Sequence, residues 1–357
     1  MARIDSLLNI VLESKASDLH LSQGLPPMLR VHGDITTLKQ APLSESDLLT
    51  LLEEICDAPR WARYLKTGDL DFAYSLGEQA RFRVNYLRSL DGYGAVLRLI
   101  PSRISSLDDL KLPPVLKRFA HLRDGLVLVT GPTGSGKSTT LAALVDYINE
   151  NQARHILTIE EPIEFVHPCK KSVIIQREVG VDVHSFADAL KSSVRQDLDI
   201  VLVGEMRTPE IIALALKAAE MGTLVYATLH TNSAAKTIDR IIDCFPAEQQ
   251  DQIRVMLANS LKGICAQLLI KTKDGKGRRA VNEILIDAPG LGNTIREGKL
   301  SMIESIIQSG RKDGMQLMDD VLFDLQAKGL VSPLDAYMKA QNKGRFAPLV
   351  EESGHAE

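Results

Sequence analysis

The chain has 357 residues, of which 45% are hydrophobic and 25% are charged, and its formal net charge is −4. This length suits about two domains, and the composition is that of an ordinary globular protein. The negative charge argues against a dedicated nucleic-acid-binding protein, whose binding domain is usually basic. The four cysteines form no C-x-x-C pair, so neither a zinc site nor a disulfide framework is predicted.

The first hundred residues mix helical and strand patterns. Helical apolar spacing predicts helices at 4–14 and 44–56, the second with Ser44 or Ser46 as its N-cap. Short alternating runs between glycine- or proline-containing turns predict strands at 18–22, 27–31, 70–76, 81–88 and 94–100. We therefore expect an N-terminal α+β domain over 1–100, followed by a polar, proline-bounded linker over 101–115.

After the linker, short apolar runs alternate with helical stretches. The runs LVLVT, HILTI, IVLV and TLVYAT predict buried strands at 126–130, 155–159, 200–203 and 223–228. Helices are predicted at 139–150, 185–197 and 209–221, and further strands at 265–270 and 279–286. This alternation predicts a mostly parallel α/β sheet. We expect this core over 116–288 and a mainly helical region with a frayed tail over 289–357.

No run of about 18 apolar residues occurs in the chain, so no transmembrane helix is predicted. The apolar stretch near the N-terminus is too short for a signal peptide and is flanked by Asp5 and Glu13. We therefore expect a protein of the reducing cytoplasm.

GPTGSGKS at 131–138 fits the phosphate-binding pattern G-x-x-x-x-G-K-[ST], and it follows a strand and precedes a helix as that motif requires. Glycines let backbone N–H groups turn toward phosphate oxygens, while the helix presents its positive end. Lys137 is predicted to reach the β- and γ-phosphates, and Ser138 to bind Mg²⁺. The predicted nucleotide site comprises Gly131, Pro132, Thr133, Gly134, Ser135, Gly136, Lys137, Ser138 and Thr139.

The nucleotide is predicted to be ATP. A GTPase usually carries a guanine-reading N-K-x-D motif, whereas the one N-K pair of this chain, NKGR, has Arg345 in the fourth position.

Two further strand ends carry candidate site residues. IVLV leads into Glu205, and an acid beside the phosphate-loop strand can hold Mg²⁺ together with Ser138. TLVYAT leads to His230, which is placed to hydrogen-bond the γ-phosphate because ligands of open α/β sheets bind at the carboxyl ends of strands. A solvated acid paired with Arg207 and a structural histidine are the alternative interpretations.

A third acidic stretch, TIEEPIEF, follows the strand HILTI and places three carboxylates within five positions, at Glu160, Glu161 and Glu164. Like charges this close repel one another unless cations converge on them. Pro162 cannot continue the hydrogen-bonded ladder and so directs the chain away from the strand.

GPTGSGKSTT, TIEEPIEFVH, VRQDLDIVLVGEMR and ATLHTNSAAKTIDRII follow one another in an order and spacing that closely resemble the secretion ATPase superfamily. Within it, the chain resembles the type IV pilus retraction ATPases of the PilT/PilU family. The resemblance extends to ASDLHL and PPMLRVHGDI in the N-terminal region, and to GRRAVNEILI and IREGKL further on. It implies a RecA-like P-loop core in an α/β fold, a smaller α+β (PAS-like) N-terminal domain and a helical C-terminal region.

The resemblance also implies roles for individual residues. Glu164 matches the catalytic glutamate of the family, Glu205 the acid of an atypical Walker B box, and His230 lies in the "His box". Arginines of the N-terminal domain are implied to reach the active site, and the candidates are Arg81, Arg83 and Arg98.

The assembly implied by the resemblance is a homo-hexamer in which ATP turnover, with Mg²⁺, moves the domains. The motor would lie in the cytoplasm at the inner-membrane base of the pilus. There it would drive a PilC-like platform protein that disassembles pilin from the fibre. A paralogous retraction ATPase is a further candidate partner, and no nucleic-acid partner is expected.

The sequence departs from the family pattern at three places. Glu161 stands where an aspartate is usual, Thr223 replaces the first histidine of the His box, and Leu198 replaces the proline of D-P-D. Because Walker A, Glu164 and Glu205 are untouched, we expect ATP turnover to survive and its coupling to motion to differ.

The sequence also bears on other members of the superfamily and on two rival functions. Assembly and type II secretion ATPases commonly carry a tetracysteine zinc module and a longer N-terminal region, which this sequence lacks, so retraction is favoured. An accessory subunit that serves as a scaffold on another retraction ATPase stays open. A nucleic-acid translocase is disfavoured, since the most basic stretch, KTKDGKGRR, contains no aromatic residue for base stacking.

Overall fold

The chain divides into two units, and each is described by itself. A computed structural model describes residues 2–31, 33–100, 103–193, 195–275 and 277–352. The first unit comprises Met1–Arg103 and Glu161–Val166, and the second comprises Ile104–Glu160 and His167–Glu357. The start of the predicted linker at 101–102, the end of the predicted tail at 353–357 and Lys276 of the basic stretch lie outside the described residues. The predicted domain boundaries stay predictions.

The first unit is built on a six-stranded antiparallel sheet in the order β3-β2-β1-β6-β5-β4. Buried residues alternate with half-buried ones along β5, so one face of the sheet packs on a core that includes Phe72, Phe82 and Tyr86. The strands are β1 (Asp18–Ser22), β2 (Met28–Val31), β3 (Asp34–Thr37), β4 (Asp69–Leu76), β5 (Ala80–Ser89) and β6 (Gly92–Ile100).

Three helices contribute to the same core: α1 (Ile4–Glu13), α2 (Glu45–Glu53) and α3 (Ala58–Thr67). Ser44 caps α2 by accepting a hydrogen bond from the backbone N–H of Asp47 at 3.1 Å, which confirms the first of the two predicted caps. Helix α3 and strand β3 were not predicted. All four residues of β3 are exposed, so the strand has no apolar alternation to reveal it.

The second unit contains a seven-stranded sheet in the order β13-β12-β7-β11-β10-β8-β9, parallel except for the β12–β13 pair. Every residue of β7 is buried, as expected for a parallel strand covered on both faces. The predicted parallel α/β sheet is thereby confirmed. The strands are β7 (Gly125–Thr130), β8 (His155–Glu160), β9 (Val173–Glu178), β10 (Ile200–Val203), β11 (Leu224–Leu229), β12 (Leu261–Lys271) and β13 (Arg278–Ile286).

The helices of the second unit flank this sheet and continue to the end of the described chain. They are α4 (Leu116–Ala120), α5 (Lys137–Asn151), α6 (Phe186–Ser193), α7 (Pro209–Glu220), α8 (Ala234–Asp243), α9 (Ala247–Ser260), α10 (Leu291–Arg296), α11 (Ile303–Ser309), α12 (Met318–Ala327), α13 (Pro333–Lys339) and α14 (Lys343–Glu352). A separate apolar cluster joins the last three to β12 and β13. None of the helices in the described ranges has the length and apolarity needed to span a bilayer.

One predicted helix is shorter than expected. Of the helix predicted over 185–197, the structure describes α6 over Phe186–Ser193, Val194 lies outside the described residues, and Asp197 has a left-handed backbone with φ of 50°, which a right-handed helix cannot contain. Strand β9 was also missed, since it is a sheet edge whose Val173 and Ile175 face solvent.

Candidate active site

The phosphate loop connects the end of β7 to the first turn of the 15-residue helix α5. A side chain at Gly131 is excluded, since its Cβ would lie 2.1 Å from the backbone oxygen of Gln267. Gly134 has a φ of 77°, a conformation that glycine adopts without strain. The loop therefore has the backbone that its sequence predicts, with the helix N-terminus directly behind it.

The polar groups of the loop suit a bound phosphate. Lys137 Nζ donates to the backbone oxygens of Gly131 at 2.8 Å and of Pro132 at 3.2 Å, so its charge lies across the mouth of the loop. Ser135 is 3% exposed, and its hydroxyl finds no hydrogen-bond partner among the described residues. Ser138 is exposed in the first turn of α5. A buried hydroxyl without a partner and a cation at a loop of this shape fit a polyphosphate ligand.

The predicted strand ends converge on the same edge of the sheet. Strands β7, β10 and β11 are parallel neighbours, and the N–H of Gly131 donates to the oxygen of Leu229 at 3.1 Å. The edge is close-packed at Gly204, where a Cβ would lie 3.1 Å from the backbone oxygen of Ile159. Glu205 and His230 follow these strands directly and therefore lie beside the phosphate loop.

The carboxylate of Glu205 is paired with two side chains, those of His230 and Arg207. His230 Nε2 lies 2.9 Å from its Oε1, and Arg207 Nη2 lies 3.0 Å from its Oε2. Burial by itself would raise the pKa of Glu205, but the hydrogen bonds and charges of Arg207 and His230 outweigh it and lower that pKa. The carboxylate is therefore ionised at neutral pH, as a cation ligand must be.

The acidic stretch TIEEPIEF is divided between the two units. Glu160 ends β8 in the second unit, where its Oε1 accepts from Thr158 Oγ1 at 2.7 Å and Gln176 Nε2 at 3.4 Å. Glu161 and Glu164 belong to the first unit. The three acids thus have different surroundings, and the carboxylate of Glu160 bonds to side chains of its own sheet.

Two of the three candidate arginines lie beside Glu164 in the first unit. Arg83 Nη1 donates to Glu164 Oε1 at 3.3 Å, and Arg81 Nε donates to the backbone oxygen of Ile163 at 3.0 Å. Arg98 is engaged elsewhere, since its Nε donates to the buried Asp18 at 2.7 Å. The structure therefore brings Arg81 and Arg83 together with the predicted catalytic acid and pairs Arg98 with another carboxylate.

Two of the departures from the family pattern lie at the amino ends of the parallel strands, opposite the strand ends that carry the phosphate loop. The oxygen of Thr223 accepts from the N–H of Gly125 at the start of β7, and about 20 Å of strand, at about 3.3 Å per residue, separates it from His230. The carboxylate of Asp199, next to Leu198, accepts from the N–H of His155 at 2.8 Å. Both positions lie a full strand length from the phosphate loop of their own chain.

Sequence reasoning missed Gln267, whose side-chain amide lies directly beneath the phosphate loop. Its Nε2 donates to the backbone oxygen of Ser135 at 2.7 Å, and its side chain is buried. The available signal was a polar residue inside the apolar run CAQLLI, because a buried amide in a core strand needs a specific partner.

Comparisons with known proteins agree with this arrangement. The sequence model of the family "Type II/IV secretion system protein" matches residues 1–324. The chain is 49% identical to the type IV pilus retraction ATPase PilT of Pseudomonas aeruginosa, over 96% of this chain and 99% of that protein. It is 38% identical to the type IV pilus ATPase PilU of the same organism, over 97% of this chain and 91% of that protein.

A solved structure is similar to the whole fold. The crystal structure of the pilus retraction motor PilT with bound ADP has a TM-score of 0.88 and 40% sequence identity, and the match covers 97% of this chain and 99% of that chain. Three observations agree on the family of this chain. They are the family match over most of the chain, the relative that it matches over nearly its full length, and the phosphate loop at the carboxyl ends of the strands. The chain belongs to the type II/IV secretion system protein family, as a P-loop ATPase of the PilT/PilU group.

Proposed function

We propose that this chain is the hexameric motor that uses ATP hydrolysis to retract type IV pili and so powers twitching motility. The proposal is supported by the meeting of the phosphate loop, Glu205 and His230 at one sheet edge, in a chain that is 49% identical to a retraction ATPase over nearly its whole length.

The residues of the second unit fit a nucleotide and its cation. The phosphate loop from Gly131 to Thr139 would hold the phosphates, with Lys137 neutralising negative charge on them. Ser138 and Glu205 supply the oxygen ligands that Mg²⁺ prefers, and the low pKa of Glu205 keeps its carboxylate charged. The cation bound there adds positive charge next to the reacting phosphate. His230, already bonded to Glu205, would sense that phosphate.

Glu164 is the proposed general base. A carboxylate at this position orients and deprotonates a water, a contribution of about 10²–10⁴ in rate. Its ion pair with Arg83 is partly exposed, since the two side chains are 41% and 28% accessible. Such a pair is weak, so Arg83 can exchange Glu164 for a phosphate oxygen. An arginine that stabilises charge in phosphoryl transfer is worth about 10³–10⁵ in rate in other ATPases and GTPases.

The proposed setting is the cytoplasmic face of the inner membrane at the base of the pilus. The motor would act on a PilC-like platform protein, and a paralogous retraction ATPase is a further candidate partner. The 49% identity to a type IV pilus retraction ATPase supports this setting.

The test is complementation of a strain that lacks its retraction ATPase. We expect this chain alone to restore twitching and sensitivity to pilus-dependent phage, and Lys137→Ala, which disables the phosphate loop, to restore neither. Failure of the wild-type chain together with full ATPase activity of the purified protein would contradict the retraction function and leave the ATPase assignment intact.

A second candidate is an accessory subunit, and Thr223 is the observation that favours it. This residue replaces the first histidine of the His box, and in an accessory subunit the coupling between turnover and motion would depend on a second ATPase. Complementation that requires a co-expressed paralogue would favour the accessory subunit.

A further inference from the structure

A pair of buried amides lies under the phosphate loop. Gln267 of β12 and Asn282 of β13 are directly opposed in the antiparallel register, and they are 2% and 1% exposed. Asn282 Nδ2 donates to Gln267 Oε1 at 2.9 Å and to Cys265 Sγ at 3.2 Å. Burial raises the pKa of Cys265 to about 12, so this sulfur is a neutral thiol. The Asn282 amide is thus fixed on two sides.

The contacts of Gln267 leave its amide one orientation. Its Oε1 accepts from Asn282 and also from Thr140 Oγ1 at 2.9 Å, which uses both lone pairs of the oxygen. The Nε2 atom therefore points toward the phosphate loop, where it donates to the backbone oxygen of Ser135 at 2.7 Å. The loop also packs against the backbone of β12, as the close approach of Gly131 to the Gln267 oxygen indicates.

This hydrogen bond fixes the direction of one peptide plane in the loop. In a trans peptide the C=O and the next N–H point in opposite directions. Holding the Ser135 oxygen inward therefore aims the N–H of Gly136 away from β12. Gly136 has a φ of 87° and no Cβ, so sterics alone do not pin this plane, and a flip would turn the N–H away from a phosphate.

We propose that Gln267, oriented by Asn282, is a positioning residue for ATP that acts through the Ser135–Gly136 peptide. Gln267 holds the phosphate loop in its binding conformation before the nucleotide arrives. The N–H groups of the loop then already converge, and binding does not have to order them. The inference rests on nucleotide binding at the phosphate loop and goes beyond the residues that the family motifs supply.

The test is Gln267→Met, which keeps the volume and removes both polar arms. One net hydrogen bond is worth about 1 kcal/mol, and 1.4 kcal/mol is tenfold in affinity. We expect the KM for ATP and the Kd for ADP to rise about fivefold, kcat at saturating ATP to stay within about twofold, and the Tm without nucleotide to change by a few degrees.

The matched control is Gln316→Met. Gln316 Nε2 donates to the backbone oxygen of Asn282 at 2.7 Å, so this change removes a comparable amide from the same cluster and leaves the Gln267–Ser135 bond in place. We expect its KM for ATP to match the wild type. An unchanged KM in Gln267→Met, or an equal rise in Gln316→Met, would overturn the proposal.

A second variant covers the case in which Gln267→Met does not fold. Asn282→Leu removes the donor that orients Gln267 while the Nε2–Ser135 bond stays possible, so we expect a smaller rise in the Kd for ADP, about threefold. No change in that Kd would also overturn the proposal. Failure of the wild-type protein to bind ADP would instead contradict the ATPase function itself, which separates the two outcomes.

Discussion

At the scale of single residues, the ion pair of Glu164 with Arg83 bears on the proposed role of Glu164 as a general base. Their ion pair is 3.3 Å long, and Arg83 also approaches Asp71 at 4.0 Å. Both partners are partly exposed, so solvent screens the attraction and the pair can open without a large cost. In the proposed mechanism, a carboxylate held this loosely turns to a water when the arginine binds a phosphate.

Glu164→Gln is expected to bind ATP with the affinity of the wild type and to lose most hydrolysis. The amide keeps the shape of the side chain and cannot accept the proton of the attacking water, so a fall of about 10²–10⁴ in kcat is expected. Steady-state phosphate release and nucleotide calorimetry measure the two effects. Glu160→Gln is the matched control, since Glu160 bonds to Thr158 and Gln176; a near-normal rate in Glu164→Gln would sink the assignment.

His167 is expected to make the stability of the second unit depend on pH. It is buried, its Nδ1 has no partner among the described residues, and burial lowers its pKa to about 4, against a smaller raising effect of Asp146 and with a further lowering by the charge of Lys170. The unfolded chain binds this proton near pH 6.5 and the folded chain only near 4, so stability falls as pH drops through that window, by up to ~3 kcal/mol.

Urea unfolding at pH 7 and pH 5 measures this effect. His167→Gln should reduce the difference between the two pH values, because glutamine has no titrating nitrogen. Equal pH dependence in the variant and the wild type would show that other groups carry it.

Some residues of the candidate site could be predicted from the sequence and others could not, and the reason is physical. Lys137, Glu205 and His230 stand in motifs or at predicted strand ends, where the rule for parallel sheets places them on one edge. Gln267 and Asn282 could not be paired in advance, because their contact depends on the register of β12 against β13. Glu164 could be named from the motif, but its contact with Arg83 depends on tertiary structure.

At the scale of elements, the buried carboxylate of Glu283 accepts a hydrogen bond from the first turn of helix α8. Ser233 caps this helix, and the backbone N–H of Ala234 donates to Glu283 Oε1 at 2.8 Å. The backbone N–H of Met318, at the start of α12, donates to Oε2 at 3.4 Å. One side chain of β13 thus accepts from the first turns of two helices, one of which follows His230.

Removal of this carboxylate is expected to destabilise the second unit. Glu283→Ala leaves a buried N–H without its acceptor and opens space in the core, so a loss of about 2–3 kcal/mol in the free energy of unfolding is expected. Glu304→Ala is the control. Glu283 and Glu304 both line a cavity of 290 Å³, but Glu304 is exposed. It should change the free energy by about 0.5 kcal/mol or less. Equal effects of the two changes would contradict the capping role.

The strands that the sequence analysis missed share one property. Strands β3 and β9 are sheet edges with exposed side chains, so no apolar periodicity marks them. The buried strands of the second sheet were predicted because their side chains are apolar on both faces of the sheet. Periodicity reports burial: the edge strands β4, with alternating buried residues, and β13, which is mostly buried, were predicted, whereas β3 and β9 were not.

At the scale of the whole molecule, the proposed function requires an assembly. We expect light scattering in the presence of nucleotide to give about six times the mass of the 39.2-kDa chain. An arginine supplied between subunits would make hydrolysis depend on that assembly, so specific activity should rise with protein concentration. A monomer mass with and without nucleotide would count against the motor.

The division of the acidic stretch has a consequence for building chimeras. The first unit includes Glu161–Val166, so the chain passes between the units at three points: after Arg103, after Glu160 and after Val166. A fragment that stops at Arg103 lacks these six residues, and one that starts at Ile104 carries Glu164 without Arg83. Exchange of N-terminal units between relatives therefore has to move two separate stretches of sequence, and a single-crossover recombinant would take Glu164 and Arg83 from different parents.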